Sequence, residues 1–166
     1  MLNPYNYHDT LKNVIGSTLI EAQYQIYVFK DVEATVISVK MIFANGKHIT
    51  VQCASDGESL YISQDTPEVA DLEDFGHIEL LEISKFDPAR LADCKGQAIK
   101  CIALQIRNNM PKSLWMDCDG HKVFFSNVGD VLNFEETHFK RMISEQGWTA
   151  LTSVFFGFDD QKLPDS

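Results

Sequence analysis

Residues 113–126 run Ser-Leu-Trp-Met-Asp-Cys-Asp-Gly-His-Lys-Val-Phe-Phe-Ser, with an apolar and aromatic stretch on either side of Asp119-Gly120. Both central residues of a type I′ turn need positive φ, which Asp and Gly tolerate. A two-residue turn here gives three cross-strand pairs: Cys118 with His121, Asp117 with Lys122, and Trp115 with Phe124. The second pair joins opposite charges and the third joins two aromatic rings, so the stretch predicts an antiparallel hairpin in this register.

Asn45-Gly46 carries the same turn signal earlier in the chain, and other residues recur around it. Four residues repeat at an offset of 80: Leu11, Gly16, Gln25 and Ile26 return as Leu91, Gly96, Gln105 and Ile106. The offset then falls through four further matches: Asn45-Gly46 with Asp119-Gly120, Leu60 with Leu132, Gly76 with Gly147, and Leu80 with Leu151. Shorter loops in a second copy would produce this trend. We therefore expect one domain over residues 1–166, with pseudo-repeat halves 5–86 and 87–158 and a frayed tail at 159–166.

Each half is predicted to have the element order α-β-β-β-β-α-β, so the expected fold is α+β with a mainly antiparallel sheet. Runs rich in Val, Ile, Phe and Tyr predict strands at 18–29, 34–44, 47–53, 60–63 and 77–84, and again at 98–107, 113–118, 121–126, 131–133 and 148–156. Capping residues and apolar spacing predict helices at 5–14, 66–75, 88–94 and 133–147. In the second of these helices, the buried stripe is expected to be Val69, Leu72 and Phe75.

The core is predicted from the apolar positions of these elements. Its expected members are Ile26, Ile37, Ile42, Ile49, Ile62, Leu80, Ile102, Leu104, Ile106, Phe124, Phe139, Ile143, Leu151 and Val154. The N-terminal residues contain neither a basic region nor an apolar region of the signal-peptide kind, and the four cysteines form no C-x-x-C pair. Both features are typical of a cytoplasmic protein with buried thiols.

The net charge of −10 is concentrated in one segment. Residues 56–87 contain ten acidic residues and one basic residue, Lys85, and carry −9, whereas the rest of the chain carries −1. A surface that binds nucleic acid or an anionic membrane needs the opposite sign, so neither partner is expected. Clustered carboxylates form either a solvated face or a recognition surface for a cationic partner. The clustering favours the recognition surface, because charges that only maintain solubility need not share one segment.

Motifs for nucleotide binding, hydrolysis and metal binding are absent: the sequence has no G-x-x-x-x-G-K, G-x-G-x-x-G, G-x-S-x-G or H-E-x-x-H. The best enzymatic candidate is the pair Cys118 and His121, since an imidazole beside a thiol activates a cysteine nucleophile. A simple cross-strand pair is the preferred interpretation, because a hairpin tip supplies no oxyanion donors. The oxygens of Asp117 and Asp119 are ordinary for a tight turn. We expect no catalytic residue, no metal site and no cofactor.

With its acidic segment at 56–87, its α+β prediction and its lack of catalytic motifs, the chain resembles the immunity proteins that bacteria encode beside secreted or contact-delivered toxins. The resemblance extends over the whole chain. Gln146-Gly147-Trp148 is similar to a Gly-Trp step in some immunity families, but it lies late in this chain, and no site residue is carried over from it. The resemblance implies a cytoplasmic, non-catalytic protein that neutralises a toxin domain.

The acidic segment predicts that the partner is basic, as a nuclease-type toxin domain with a phosphate-binding surface would be. The predicted partner-binding residues are Asp65, Glu68, Asp71, Glu73, Asp74, Glu79 and Glu82. The alternative function is a scaffold or subunit that associates, for example as a homodimer, through the aromatic C-terminal strand with Trp148 and Phe155-Phe156-Gly157-Phe158. A cysteine-dependent enzyme built on Cys118 is the third interpretation.

Overall fold

The computed structural model describes residues 7–135 and 152–157 of the chain, with side chains described in the first range. A short helix, α1 (Tyr7–Lys12), comes first. The strands are β1 (Leu19–Val28), β2 (Thr35–Phe43), β3 (His48–Cys53), β4 (Leu60–Ser63), β5 (Ala70–Asp71), β6 (His77–Glu82), β7 (Ile99–Arg107), β8 (Met110–Cys118), β9 (His121–Val128), β10 (Val131–Asn133) and β11 (Thr152–Gly157). Single 3-10 turns occur at Glu73–Phe75 and Leu91–Asp93. Within the two described ranges, no helix has the length and apolar character needed to cross a membrane.

The strands form two antiparallel sheets with the same strand order. The first sheet runs β4-β3-β2-β1-β6-β5, and the second runs β10-β9-β8-β7-β11. β5 is an extra edge strand in the first sheet. The sheets pack against each other through β10 on β2, β4 on β8 and β3 on β9. Apolar side chains from both sheets therefore contribute to a shared core.

The expected α+β fold with α-β repeats is wrong, because the protein is essentially all-β, with 53% strand and 9% helix. Of the predicted helices, α1 forms over six residues. The one at 88–94 shrinks to a 3-10 turn, since Arg90 adopts the left-handed conformation (φ 60°) and interrupts the α-helical backbone. The Asp87 carboxylate still accepts the N–H groups of Leu91 and Ala92, both at 2.8 Å. Residues 136–147 of the fourth predicted helix lie outside the described residues.

The helix predicted at 66–75 is wrong: its first residues belong to a crossing segment, residues 64–69, that we call the strap, and the rest form β5 and the 3-10 turn at Glu73–Phe75. β4 and β5 lie at opposite edges of the first sheet, so the connecting chain has to cross the sheet. Side chains of the sheet bind the strap's backbone: His48 Nε2 contacts Gln64 O at 2.6 Å, Thr50 Oγ1 donates to Asp65 O at 2.5 Å, and Gln25 Nε2 donates to Glu68 O at 2.9 Å. These carbonyls are satisfied by the sheet, so the backbone has no need of a helical ladder here.

Four backbone hydrogen bonds link the starts of β1 and β7 in reciprocal pairs. They are Gly16 N–H to Ile99 O and Gly96 N–H to Leu19 O, both 2.8 Å, with Leu19 N–H to Gln97 O at 3.1 Å and Ile99 N–H to Ser17 O at 3.0 Å. Exchanging the halves at an offset of 80 turns each bond into the other member of its pair. Such reciprocity is the mark of a two-fold axis. The chain therefore has a pseudo-two-fold axis close to the bridge between Thr18 and Ala98.

The two predicted hairpin turns fall between equivalent strands but differ in length. Asp119 (φ 55°) and Gly120 (φ 93°) form the expected two-residue turn, and the three predicted cross-strand pairs are confirmed. The two-residue turn expected at Asn45-Gly46 is wrong. There Gly46 has positive φ (81°) and Asn45 does not, and Phe43 N–H bonds to Lys47 O across three loop residues. A glycine at the last position of a three-residue loop is a common hairpin form.

The predicted core is partly right. Ile26, Ile49, Ile62, Ile102, Leu104 and Phe124 are buried, whereas Ile37, Ile42, Leu80 and Ile106 are half-buried. Ile42 lies between Met41 and Phe43, which are fully buried, and successive strand residues point to opposite faces. Phe139, Ile143, Leu151 and Val154 lie outside the residues whose side chains are described.

Candidate functional site

Cys118 and His121 are cross-strand neighbours, as predicted, but they do not form an activated pair. Cys118 is completely buried. A hydrogen bond with Cys94, together with burial, raises the pKa of the Cys118 thiol far above its ordinary value. His121 Nε2 lies 3.4 Å from Asp93 Oδ2. A cysteine nucleophile must be accessible and easily deprotonated, and Cys118 is neither.

The seven predicted partner-binding carboxylates lie along the strap and at the β5–β6 edge of the first sheet. Asp65 and Glu68 belong to the strap, Asp71 to β5, Glu73 and Asp74 to the 3-10 turn, and Glu79 and Glu82 to β6. All are exposed except Glu79, which is half-buried. The structure thus brings five of the seven to one sheet edge and spreads the other two across the neighbouring face.

The charges of these seven carboxylates are not neutralised by cations of the described part of the chain. There, none of them pairs with a Lys or Arg, and Glu79 alone has an ionisable partner, His77, at 2.5 Å. By contrast, Asp56 and Glu58 both contact Lys112. A surface with uncompensated charge of one sign attracts partners of the opposite sign.

Three large apolar side chains are exposed within the same segment. Val69 is 67% exposed, Leu72 37% and Phe75 74%. The predicted buried stripe is therefore wrong, because without a helix these side chains do not share an inward face. The Tyr27 hydroxyl donates a hydrogen bond to Phe75 O and so holds the turn in place. The spacing of Val69, Leu72 and Phe75 is equally compatible with a buried helical stripe. The sequence therefore contains no signal that distinguishes such a stripe from the exposed arrangement.

A second polar cluster, missed from the sequence, joins the two sheets around Lys112. This lysine is 8% exposed. Its Nζ donates to Ser59 Oγ at 2.7 Å and lies 3.4 Å from Glu58 Oε2 and 3.8 Å from Asp56 Oδ2. Burial tends to raise the pKa of Asp56, but hydrogen bonds from the Ser59 hydroxyl and from the N–H groups of Glu58 and Ser59, with the Lys112 charge, lower it to about 2.

A cavity of about 1000 Å³ opens beside the first sheet. Its lining includes Gln52, Tyr61, Ile37 and Ile62 from the first sheet, Met110 of β8, and Asp130 from the turn between β9 and β10. Over the described part of the chain, the lining residues include one carboxylate, Asp130, and neither Lys nor Arg. Pockets that combine apolar walls with a few polar groups are the usual form of small-molecule sites.

Comparisons with protein-family models, with curated proteins and with solved structures find no match for this chain.

Proposed function

We propose that this protein is a non-catalytic, cytoplasmic immunity protein that neutralises a basic, nuclease-type toxin domain through the β5–β6 edge and the strap. The observation that carries the proposal is the combination of uncompensated carboxylates with exposed Val69, Leu72 and Phe75 within one segment, residues 65–82.

The carboxylates account for the choice of partner. A nuclease binds phosphate with clustered Lys and Arg, and an acidic surface attracts those same groups. Asp71, Glu73 and Asp74 project from a short edge strand and its turn, where they are accessible to a second protein. Complementary surface charge acts chiefly on the rate of encounter.

The apolar side chains account for affinity after the encounter. Carboxylates alone would suffice for solubility, and that role does not require Phe75 to be 74% exposed among them. Interfaces combine a few aromatic or apolar anchors with a polar rim. Phe75 is the best anchor of this surface, because its backbone carbonyl is fixed by Tyr27.

The position of β11 supports a second candidate, a scaffold that self-associates. β11 pairs with β7 and is the terminal strand in the order of the second sheet. An edge strand presents backbone groups to which a second copy can add. In light scattering, a stable homo-oligomer that the folded variant Phe156→Asp abolishes would favour this candidate over the immunity protein.

The test of the proposed function uses the C-terminal domain of a secreted toxin encoded next to this chain. The variant Glu68→Lys, Asp74→Lys, Glu82→Lys should associate with it at least about ten-fold more slowly at low salt, because it reverses charges within the surface. The matched control is Asp9→Lys, Asp31→Lys, Glu33→Lys, which changes three exposed acids elsewhere by the same net charge.

Stopped-flow fluorescence gives the two rates, and urea unfolding checks that both variants fold. The control should associate close to the parental rate. Equal slowing of the two variants would mean that net charge, and not its location, sets the association rate. Unchanged rates in both would mean that the acidic surface takes no part in binding.

A further inference from the structure

The pseudo-two-fold axis gives Lys112 a counterpart in the first half of the chain. In β7–β8, Gln105 pairs with Ser113 and Ile106 with Pro111, which leaves Lys112 as the extra residue of a bulge. In β1–β2, the corresponding pairs are Gln25 with Ser38 and Ile26 with Val36, which leave Ile37. The serine hydroxyl donates to the glutamine Oε1 in both bulges, at 2.9 and 2.7 Å. Ile37 therefore occupies the position that Lys112 has in the second half.

The acidic loops that face these two positions also correspond. The loop between β3 and β4, residues 54–59, follows the pair Cys53–Leu60, and the turn between β9 and β10 follows the equivalent pair Asn127–Leu132. A bond of 3.0 Å from Gly129 N–H to Gly57 O connects the two loops. Asp130 is therefore the counterpart of the acids that bind Lys112.

The two halves differ in the group that lies between the bulge residue and the acidic loop that faces it. On one side, the Lys112 ammonium contacts Asp56 and Glu58. On the other, Ile37 and Asp130 both line the cavity of about 1000 Å³. Over residues 7–135, the structure shows no ion pair for the Asp130 side chain. The cavity thus lies at the position in the first half that corresponds to the Lys112 ammonium in the second half.

We propose that this cavity binds a small organic ammonium ligand, with its cation beside the Asp130 carboxylate. Ile37, Ile62 and Met110 offer apolar contact for the rest of the ligand. The amide of Gln52 and the hydroxyl of Tyr61, which make no hydrogen bond to described residues, supply further polar contacts. Among the described lining residues, an anion finds no Lys or Arg. The lining includes Gln64 of the strap but none of the seven carboxylates, so the inference concerns a different ligand and goes beyond the proposed function.

Three probes of similar size and different charge test the site on the full chain: benzylamine, benzyl alcohol and benzoate. Binding is followed by amide chemical shifts of the ¹⁵N-labelled protein in 150 mM salt. Benzylamine should shift Ile37, Gln52, Tyr61 and Asp130 in a saturable way, benzyl alcohol should bind at least about ten-fold more weakly, and benzoate should not bind. A lysine side chain of a protein partner has the same chemistry, so N-acetyl-lysine methylamide is the fourth probe. Its binding in place of benzylamine would assign the cavity to such a partner's lysine.

Two variants remove the site in different ways. Asp130→Asn should weaken benzylamine binding at least about ten-fold, since it removes the charge and retains the size. Ile37→Lys should abolish binding by supplying the cation internally, as Lys112 does in the other half. Asp71→Asn, which removes a charge from the β5–β6 edge, is the control and should leave the affinity unchanged.

The inference fails if benzyl alcohol binds as tightly as benzylamine, if the folded variant Asp130→Asn retains the affinity, or if Asp71→Asn lowers it as much. It also fails if none of the cationic probes shifts the cavity residues. None of these results would contradict the proposed function, which toxin-binding rates test separately. Asp130→Asn should associate with the toxin domain at the parental rate.

Discussion

At the scale of single residues, the Lys112 cluster joins the two halves of the chain through close polar contacts. Lys112 is nearly completely buried, and its ammonium group is satisfied by Ser59, Glu58 and Asp56. The Asn127 amide adds hydrogen bonds to Ser59 O at 2.8 Å and to Ala54 O at 3.3 Å. A buried ammonium requires such partners because an unpaired charge is expensive to remove from water. The loop that closes β3–β4 is thereby attached to the second sheet.

The pKa of Asp56 leads to a prediction of acid sensitivity. Its folded-state pKa is lowered from 3.8 to about 2, so the carboxylate stabilises the fold above the unfolded value, and this contribution is lost as the pH falls from about 4 towards 2. The wild type should be more stable than Asp56→Asn at pH 5, and the difference should shrink as the pH approaches 2. Urea midpoints of both proteins between pH 2 and 5 measure this. A stability difference between the two proteins that does not depend on pH would contradict the lowered pKa of Asp56.

At the scale of elements, the strap and the β5–β6 hairpin are held by contacts that a local helix would not make. The strap's carbonyls accept hydrogen bonds from β1 and β3, and Lys40 of β2 contacts the Thr66 hydroxyl at 3.5 Å. The hairpin is fixed by Tyr27 at Phe75 O and by Leu72 N–H to Gly76 O at 2.9 Å. The acidic surface is thus an ordered part of the first sheet, and its carboxylates need little rearrangement to meet a partner.

Gly76 is the residue on which this hairpin depends. It has a φ of 96°, and a Cβ added there would lie 2.2 Å from Val28 O. Gly76→Ala should therefore lower the free energy of unfolding by more than the roughly 1–2 kcal/mol typical of a Cβ at positive φ alone. Gly120→Ala is the matched control, with a φ of 93° and nothing within 4 Å of the added Cβ. Urea unfolding of the two variants gives the comparison, and equal losses would show that the close approach to Val28 is relaxed at no cost.

At the scale of the whole molecule, polar contacts link the two sheets in addition to the shared core. The reciprocal backbone bonds join β1 and β7, and the Lys112 cluster joins the β3–β4 loop to β8. Leu19 and Ile99, which are equivalent under the pseudo-two-fold axis, are both fully buried in the shared core. Neither sheet buries its apolar face without the other. We therefore expect the two sheets to unfold as one cooperative unit.

This arrangement predicts a single unfolding transition. Leu19→Ala in the first sheet should cost about 2–5 kcal/mol, as is typical for a fully buried leucine. The loss should appear equally in far-UV circular dichroism and in the fluorescence of Trp115, which belongs to the second sheet. Trp148→Phe in both proteins leaves Trp115 as the sole tryptophan. A Trp115 transition that stays in place while the dichroism shifts would mean that the sheets unfold separately.

Much of the strand structure was predictable from local sequence. The turn chemistry of Asp119-Gly120 and the charge and aromatic pairs beside it specify one register, and that register is observed. The recurrence of Gln25 and Ile26 as Gln105 and Ile106 coincides with a repeated bulge. The exposure of most of the seven carboxylates also followed from their charge. These features depend on residues that are near each other in the chain or across one turn.

The strap, the exposed apolar side chains and the cavity were decided by tertiary structure. An apolar residue at every third position fits a helix as well as an irregular crossing, and hydrogen bonds from His48, Thr50 and Gln25 chose the crossing. The cavity is lined in part by Ile37, which stands where the other half has Lys112, and this difference has meaning once the two sheets are superposed. Local sequence selects strands and turns through backbone preference, whereas partners distant in the chain determine which polar groups are satisfied and which faces remain open.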